Sequence, residues 1–229
     1  MTKKNNMDNT ISNINVPIAI YPPSELLVKP TSRSNSYIRI GHFSPDAPPV
    51  DAYIDDYLLA SNLSFGQETF YKIIEPDSHN IKLYPTGEKN SPLIDETIKI
   101  PKGTVVSTIA INRLDKLDII LVNDNVYVSP GEIMIKFSNM SPNGRSMNFY
   151  INDALIFENV TYRDVTYYTD LSINTYYNIL VTDYVTGEAI IDVPNLILLP
   201  TSAYSFYGVG LQDNYRLVIT LDGSSYFFD

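Results

Sequence analysis

The chain has 229 residues with 26 acidic and 16 basic side chains, a net charge of −10, no cysteine, no tryptophan, two histidines and 18 tyrosines. Without cysteine there is no disulfide, thiolate nucleophile or cysteine-bearing zinc site, and the acidic balance argues against a nucleic-acid partner. The length suits one large domain or two small ones, and no Gly-rich phosphate loop or other cofactor pattern occurs among the 10 glycines.

Residues 1–36 contain Pro17, Pro22, Pro23 and Pro30 among many Ser and Asn, which predicts an extended or disordered arm. Within it Ile14, Val16, Ile18 and Ile20 alternate with Asn15, Pro17 and Ala19, the period of a half-buried strand. Pro17 cannot donate to a ladder, so such a strand lies at an edge or pairs on one side. It could edge its own domain, complete a neighbouring subunit's sheet, or stay unstructured. Lys3-Lys4 is followed by a polar run where a signal peptide needs apolar residues. No window approaches the roughly 18 apolar residues of a membrane span. The expectation is a chain made in the cytosol, without membrane insertion.

Beyond the arm the runs 37–43, 50–54, 69–74, 81–84, 97–100, 105–111 and 118–122 are short and rich in β-branched and aromatic residues. Asp55-Asp56, Pro76-Asp77, Thr86-Gly87 and Pro101-Lys102-Gly103 supply turns between them. After a connection at 123–130 the pattern returns as 133–137, 147–151, 166–170, 176–183, 196–199, 204–209 and 215–221. The return is a duplication. From Ser44 to Tyr71 the chain aligns without a gap on Ser141 to Tyr168, and Ser44-Pro45, Tyr53-Ile54, Asp56, Leu58, Asn62, Thr69 and Tyr71 recur identically. About seven strands per repeat predicts an all-β protein: two tandem immunoglobulin-like β-sandwich domains, 37–125 and 131–229, preceded by the extended N-terminal arm.

The stretch from Ser44-Pro45-Asp46-Ala47-Pro48-Pro49 through Val50-Asp51-Ala52-Tyr53, with Leu58-Leu59-Ala60 and Phe65-Gly66 behind it, resembles the bacterial domain-of-unknown-function family 4397. The resemblance is close over about 37–125. The second copy keeps Ser141-Pro142, Asn148, Tyr150 and Asp153 but has Asn143-Gly144-Arg145 in place of the Asp-Ala-Pro run. It implies a tandem-domain protein of a bacterial surface and brings no activity with it. Because no export signal is read in the chain, the implied setting is a spore coat or spore appendage, whose proteins need no secretion.

Candidate sites are few. Asp46, Asp51, Asp55 and Asp56 could offer oxygens to Ca²⁺, but their counterparts Asn143, Asn148, Asn152 and Asp153 have lost three of four charges, which favours turn capping and no metal. His42 and His79 fall in different segments, and no carboxylate pair is singled out for glycoside hydrolysis. Asn62-Leu63-Ser64 and Asn159-Val160-Thr161 fit a glycosylation pattern but read as a repeated turn. The tyrosines are the most suggestive feature. Tyr167-Tyr168 and Tyr176-Tyr177 place one ring of each pair on either strand face, and this set is a candidate interaction surface for a protein or sugar.

Together these features predict a non-enzymatic structural protein that self-assembles as a homo-oligomer or filament, with Ile14, Val16, Ile18 and Ile20 as the inter-subunit strand. The alternative is an adhesin-like module binding a glycan or protein through tyrosine-rich surfaces. A third reading, a hydrolase, requires an inter-domain cleft with two close carboxylates.

Overall fold

The repeat is carried strand for strand into the fold. The computed structural model describes residues 35–124, 126–142, 144–212 and 214–223; the arm strand Ile14–Ile20 lies outside them. The first unit holds β1 (Ser36–His42), β2 (Val50–Ile54), β3 (Tyr57–Leu63), β4 (Gln67–Glu68), β5 (Lys72–Ile74), β6 (Ser78–Pro85), β7 (Ile94–Lys99), β8 (Val105–Ile111) and β9 (Asp118–Asn123). The second holds β10 (Ile133–Asn139), β11 (Met147–Ile151), β12 (Ala154–Val160), β13 (Thr169–Leu171), β14 (Tyr177–Asp183), β15 (Ala189–Leu196), β16 (Ser202–Val209) and β17 (Arg216–Leu221).

In each unit one sheet runs β3-β2-β6-β7 or β12-β11-β14-β15, and the other β4-β1-β8-β9 or β13-β10-β16-β17, with β5 also on β1. The first strand of each unit pairs parallel with a late one, β1 with β8 and β10 with β16. The protein is therefore all-β, with sandwiched sheets in each repeat. Among the described residues no helix is long and apolar enough to cross a membrane.

Local chemistry sets the matching turns. Asp55 and Asp56 have φ of 47° and 66°, Asn152 and Asp153 48° and 66°. Two left-handed residues make the primed turn that suits the twist of a hairpin, and Asn and Asp tolerate it better than other side chains with a Cβ. Asn62 and Asn159 sit at φ of 56° and 52°, where the ladders of β3 and β12 slip. Their amides donate to Asp51 Oδ1 and Asn148 Oδ1, both at 2.9 Å. That shared bulge explains the repeated Asn-x-Ser/Thr pattern.

The strand pattern differs from the sequence expectation in several places. β3 and β12 were not foreseen, because one face of each is solvated and neither alternates cleanly. Of the expected strand 69–74 only β5 forms, with β4 just ahead of it: Thr69 donates its amide to the Ile40 carbonyl (2.8 Å) while its hydroxyl takes the Ile40 amide (3.0 Å). The expected strand 196–199 is instead β15 at 189–196, where Pro194 is tolerated because β15 is an edge strand.

Three apolar clusters hold the layers. Ile38 and Ile40 of β1 meet Val50 and Ala52, Ile81 and Leu83 in the first core. Ile135 and Phe137 of β10 meet Phe149, Ile179 and Phe206 in the second. The third belongs to neither unit alone: Phe43, Ile109, Ile111 and Val122 pack against Met140, Tyr207, Val209 and Val218. The β1/β8/β9 face thus lies on the β10/β16/β17 face, giving four stacked sheets. Each fully buried Ile, Val or Phe contributes roughly 1.5–3 kcal/mol of transfer free energy, so this cluster holds the units together, although it is smaller than the core of either unit. Asn123, expected to open a linker, instead ends β9, and the buried Asp124 follows it into this junction with its amide donating to the Val105 carbonyl (2.8 Å).

Candidate functional site

Alternation along β1 and β10 turns Arg39 and Lys136 away from their own cores and into the junction, where both are buried. They answer each other's carboxylates. Arg39 Nη2 donates to Asp222 Oδ1 at 2.7 Å, and Lys136 Nζ donates to Asp124 Oδ1 at 2.7 Å. Each Asp is braced from its own unit: Asp124 accepts from Tyr71 (2.7 Å) and Ser107, Asp222 from Tyr168 (2.6 Å) and Ser205 (2.8 Å). The Arg39 guanidinium lies 4.6 Å from the Tyr71 ring centre and the Lys136 ammonium 4.6 Å from that of Tyr168. Reciprocal pairing of this kind is the mark of an isologous, two-fold-like interface.

Glu68 breaks the symmetry. Its side chain is 4% exposed and lies 3.4 Å from Arg39 Nη1, so three carboxylates share two cations. Burial pushes its carboxyl up to about 7, against the pull of Arg39 and with help from Asp124 and Asp222. Burial also opposes ionisation of Asp124, but Lys136 and Arg39 outweigh it and hold that carboxyl below the ordinary range. Asp222 is pushed upward, by burial first and the Asp124 charge second. Room for Glu68 comes from Gly41, where a Cβ would stand 2.9 Å from Glu68 Cγ. At the matching place in the second unit, Ser138 faces Val165.

The junction is therefore filled and neutralised. The cleft a hydrolase needs between the units is occupied by the third apolar cluster and these ion pairs. The acidic set of the first unit is likewise dispersed. Asp46 takes Arg113 Nε and the Leu114 amide, Asp51 the Asn62 and Gly87 amides, Asp55 His79 and the Asn80 amide, and Asp56 Lys82 Nζ. Among the described residues no group of three or more such side chains could hold a metal ion. Backbone amides hold Asp51 below its ordinary range, and the His79 hydrogen bond lowers Asp55. His42 is buried against the Pro48 carbonyl, and burial lowers it.

The surface presents a groove of about 470 Å³ on the second unit, between β12 and the segment leading into β13. Phe157, Glu158, Asp164, Thr166, Tyr167 and Thr169 are among the residues that line it. Tyr167 is 94% exposed, yet its backbone is held on both sides. Thr166 exchanges two 3.0 Å hydrogen bonds with Phe137, and the Tyr168 phenol is tied to Asp222. Asp164 anchors the start of the segment by accepting the Thr161 amide at 2.9 Å.

The four predicted tyrosines divide. Tyr167 and Tyr176 stand in solvent. Tyr168 forms the inner wall of the groove, and burial raises its phenol. Tyr177 corrects the expectation of a surface ring: it is fully buried, its hydroxyl taking the Asn174 amide (2.8 Å) and donating to the Ser172 carbonyl (3.1 Å). A phenol satisfied by local backbone can be buried whole.

Residues 36–146 and 133–226 each match the family model described as "Domain of unknown function (DUF4397)". The chain belongs to that family. No curated protein matches it. Among solved structures it is similar to the CBM26-family module CBMbc of Eubacterium rectale Amy13K in complex with maltoheptaose, at 13% identity and a TM-score of 0.28, over 82% of this chain and 99% of that one. A second structure, described as alpha-glucan binding by a streptococcal virulence factor, gives 12% identity and a TM-score of 0.25 over 85% and 100%.

Proposed function

We propose that the chain is a non-catalytic binding protein whose second unit takes an uncharged glycan in the groove beside Tyr167. The observation behind this reading is a large aromatic ring left 94% exposed on a backbone segment pinned by hydrogen bonds at both ends. A rigid exposed ring offers contact area at small entropic cost and stacks on the apolar face of a sugar. Around it Glu158, Asp164, Thr166 and Thr169 supply oxygen acceptors for sugar hydroxyls. The two carboxylates and the net charge of −10 disfavour acidic sugars, which selects neutral ones.

Neither histidine lines the groove, and Asp124 and Asp222 are committed to the ion pairs of the junction. Surface assembly through the arm draws no support from the described residues, since its strand falls outside them.

The test is affinity electrophoresis through gels containing neutral α-glucan, β-glucan, mannan, xylan or galactan. At least one polymer should retard the chain, and Tyr167→Ala should weaken that retardation about tenfold or more while leaving the thermal midpoint unchanged. If no polymer retards the chain, or if Tyr167→Ala runs like the parent, the reading fails.

A further inference from the structure

We infer that the first unit carries a second sugar platform at Phe70, so that one chain engages a neutral polysaccharide at two places. This rests on the reading of the Tyr167 groove given above.

The argument is that the duplication reproduces the whole mounting of the ring. At the spacing that relates Tyr71 to Tyr168, Phe70 matches Tyr167. Three anchors hold each ring-bearing segment. The first is a side-chain oxygen that closes the preceding turn: Gln67 Oε1 accepts the Ser64 amide at 2.8 Å, as Asp164 accepts that of Thr161. Next comes a Thr that exchanges two hydrogen bonds with the unit's first strand, Thr69 with Ile40 and Thr166 with Phe137. The last is the following Tyr, whose phenol ends on a junction aspartate, Tyr71 on Asp124 and Tyr168 on Asp222. Between these anchors Phe70 remains 46% exposed, although a phenylalanine gains most by burial. The mounting that keeps Tyr167 in solvent keeps Phe70 there as well.

The chemistry around the two rings differs, and the difference constrains the ligand. Gln67 replaces Asp164, Ser61 replaces Glu158 and Lys72 replaces Thr169, so two carboxylates are lost and an ammonium is gained, the Ser61 hydroxyl being given to Asp51 at 2.9 Å. Gln67 spends its carbonyl oxygen on the Ser64 amide, which leaves its NH₂ to donate outward. A charged sugar would be favoured by one platform and refused by the other. Uncharged sugars, whose hydroxyls both donate and accept, suit both. Two weak sites on one rigid body then act together on a polymer, since the second contact is intramolecular.

Calorimetry with neutral oligosaccharides of glucose, mannose, xylose and galactose, on the full chain and on Phe70→Ala, Tyr167→Ala and the double variant, decides the matter. The inference expects two sites per chain and one in either single variant. It also expects no binding by the double variant, and retardation in polymer gels that drops at least tenfold when either ring is lost. Phe70→Tyr should restore the second site, which separates a lost ring from a damaged fold. A single site that Tyr167→Ala abolishes and Phe70→Ala leaves intact overturns the second platform and leaves the first standing. Absence of binding to any of these sugars overturns both.

Discussion

Replacing Glu68 by Gln keeps its shape and removes its charge, and the structure fixes what should follow. The carboxyl rises from an ordinary 4.5 to about 7 on burial beside Asp124 and Asp222. Below pH 4.5 the folded and unfolded chains both hold the proton, and the parent has its full stability. From 4.5 to about 7 the unfolded chain releases the proton while the folded chain keeps it, so stability falls as pH rises. Above about 7 both have released it and the loss is complete. At about 1.4 kcal/mol per pH unit, the shift to about 7 corresponds to roughly 3 kcal/mol. His79, raised through its bond to Asp55, also loses stability as pH climbs past its folded value, but it does so equally in both proteins and cancels. Urea unfolding of parent and Glu68→Gln at pH 4.5, 6, 7 and 8 should show a gap that starts near zero and widens to roughly 3 kcal/mol in the variant's favour. A gap that stays constant across this range refutes the buried, proton-holding carboxyl.

Two further substitutions probe the same junction. Lys136→Met strands Asp124 without its 2.7 Å partner in a fully buried place and should cost about 3–5 kcal/mol, measured as a shift in urea midpoint; adding Asp124→Asn should recover much of it, and no recovery would mean the pair is not coupled. Gly41→Ala drives a Cβ to 2.9 Å from Glu68 Cγ and should cost about 1–3 kcal/mol, relieved in a Glu68→Ala background; a thermal midpoint equal to the parent's would show that Glu68 does not lie across β1.

Much of the architecture was legible because its signals are local or repeated. Alternation gave most strands, and Asp55-Asp56 and Asn152-Asp153 marked their turns. β3 and β12 escaped because their outer faces are solvated and their ladders slip at Asn62 and Asn159. The junction escaped for another reason. An alternating strand announces that its two faces differ, not whether the second meets water or another sheet. Alternation alone therefore does not distinguish Arg39 and Lys136 from outward charges, although β1 is buried at every position. A usable signal was present: Arg39/Lys136, Tyr71/Tyr168, Ser107/Ser205 and Asp124/Asp222 all fall at matching places in the two repeats. Their recurrence on and beside the first and last strands of each unit points to a shared interior. At the candidate groove, alternation separates Tyr167 from Tyr168 and Tyr176 from Tyr177, but the choice of outward member depends on which phenol finds a buried acceptor. Only the assembled fold supplies Asp222 to Tyr168.

The crossed ion pairs bear on how this molecule can be taken apart. Severing the chain between the repeats would leave Arg39 without Asp222 and Lys136 without Asp124, each on a sheet face that has lost its cover. A cut at the obvious seam would yield two incomplete halves, so truncation libraries and single-repeat expression should return aggregates or re-paired halves instead of working modules.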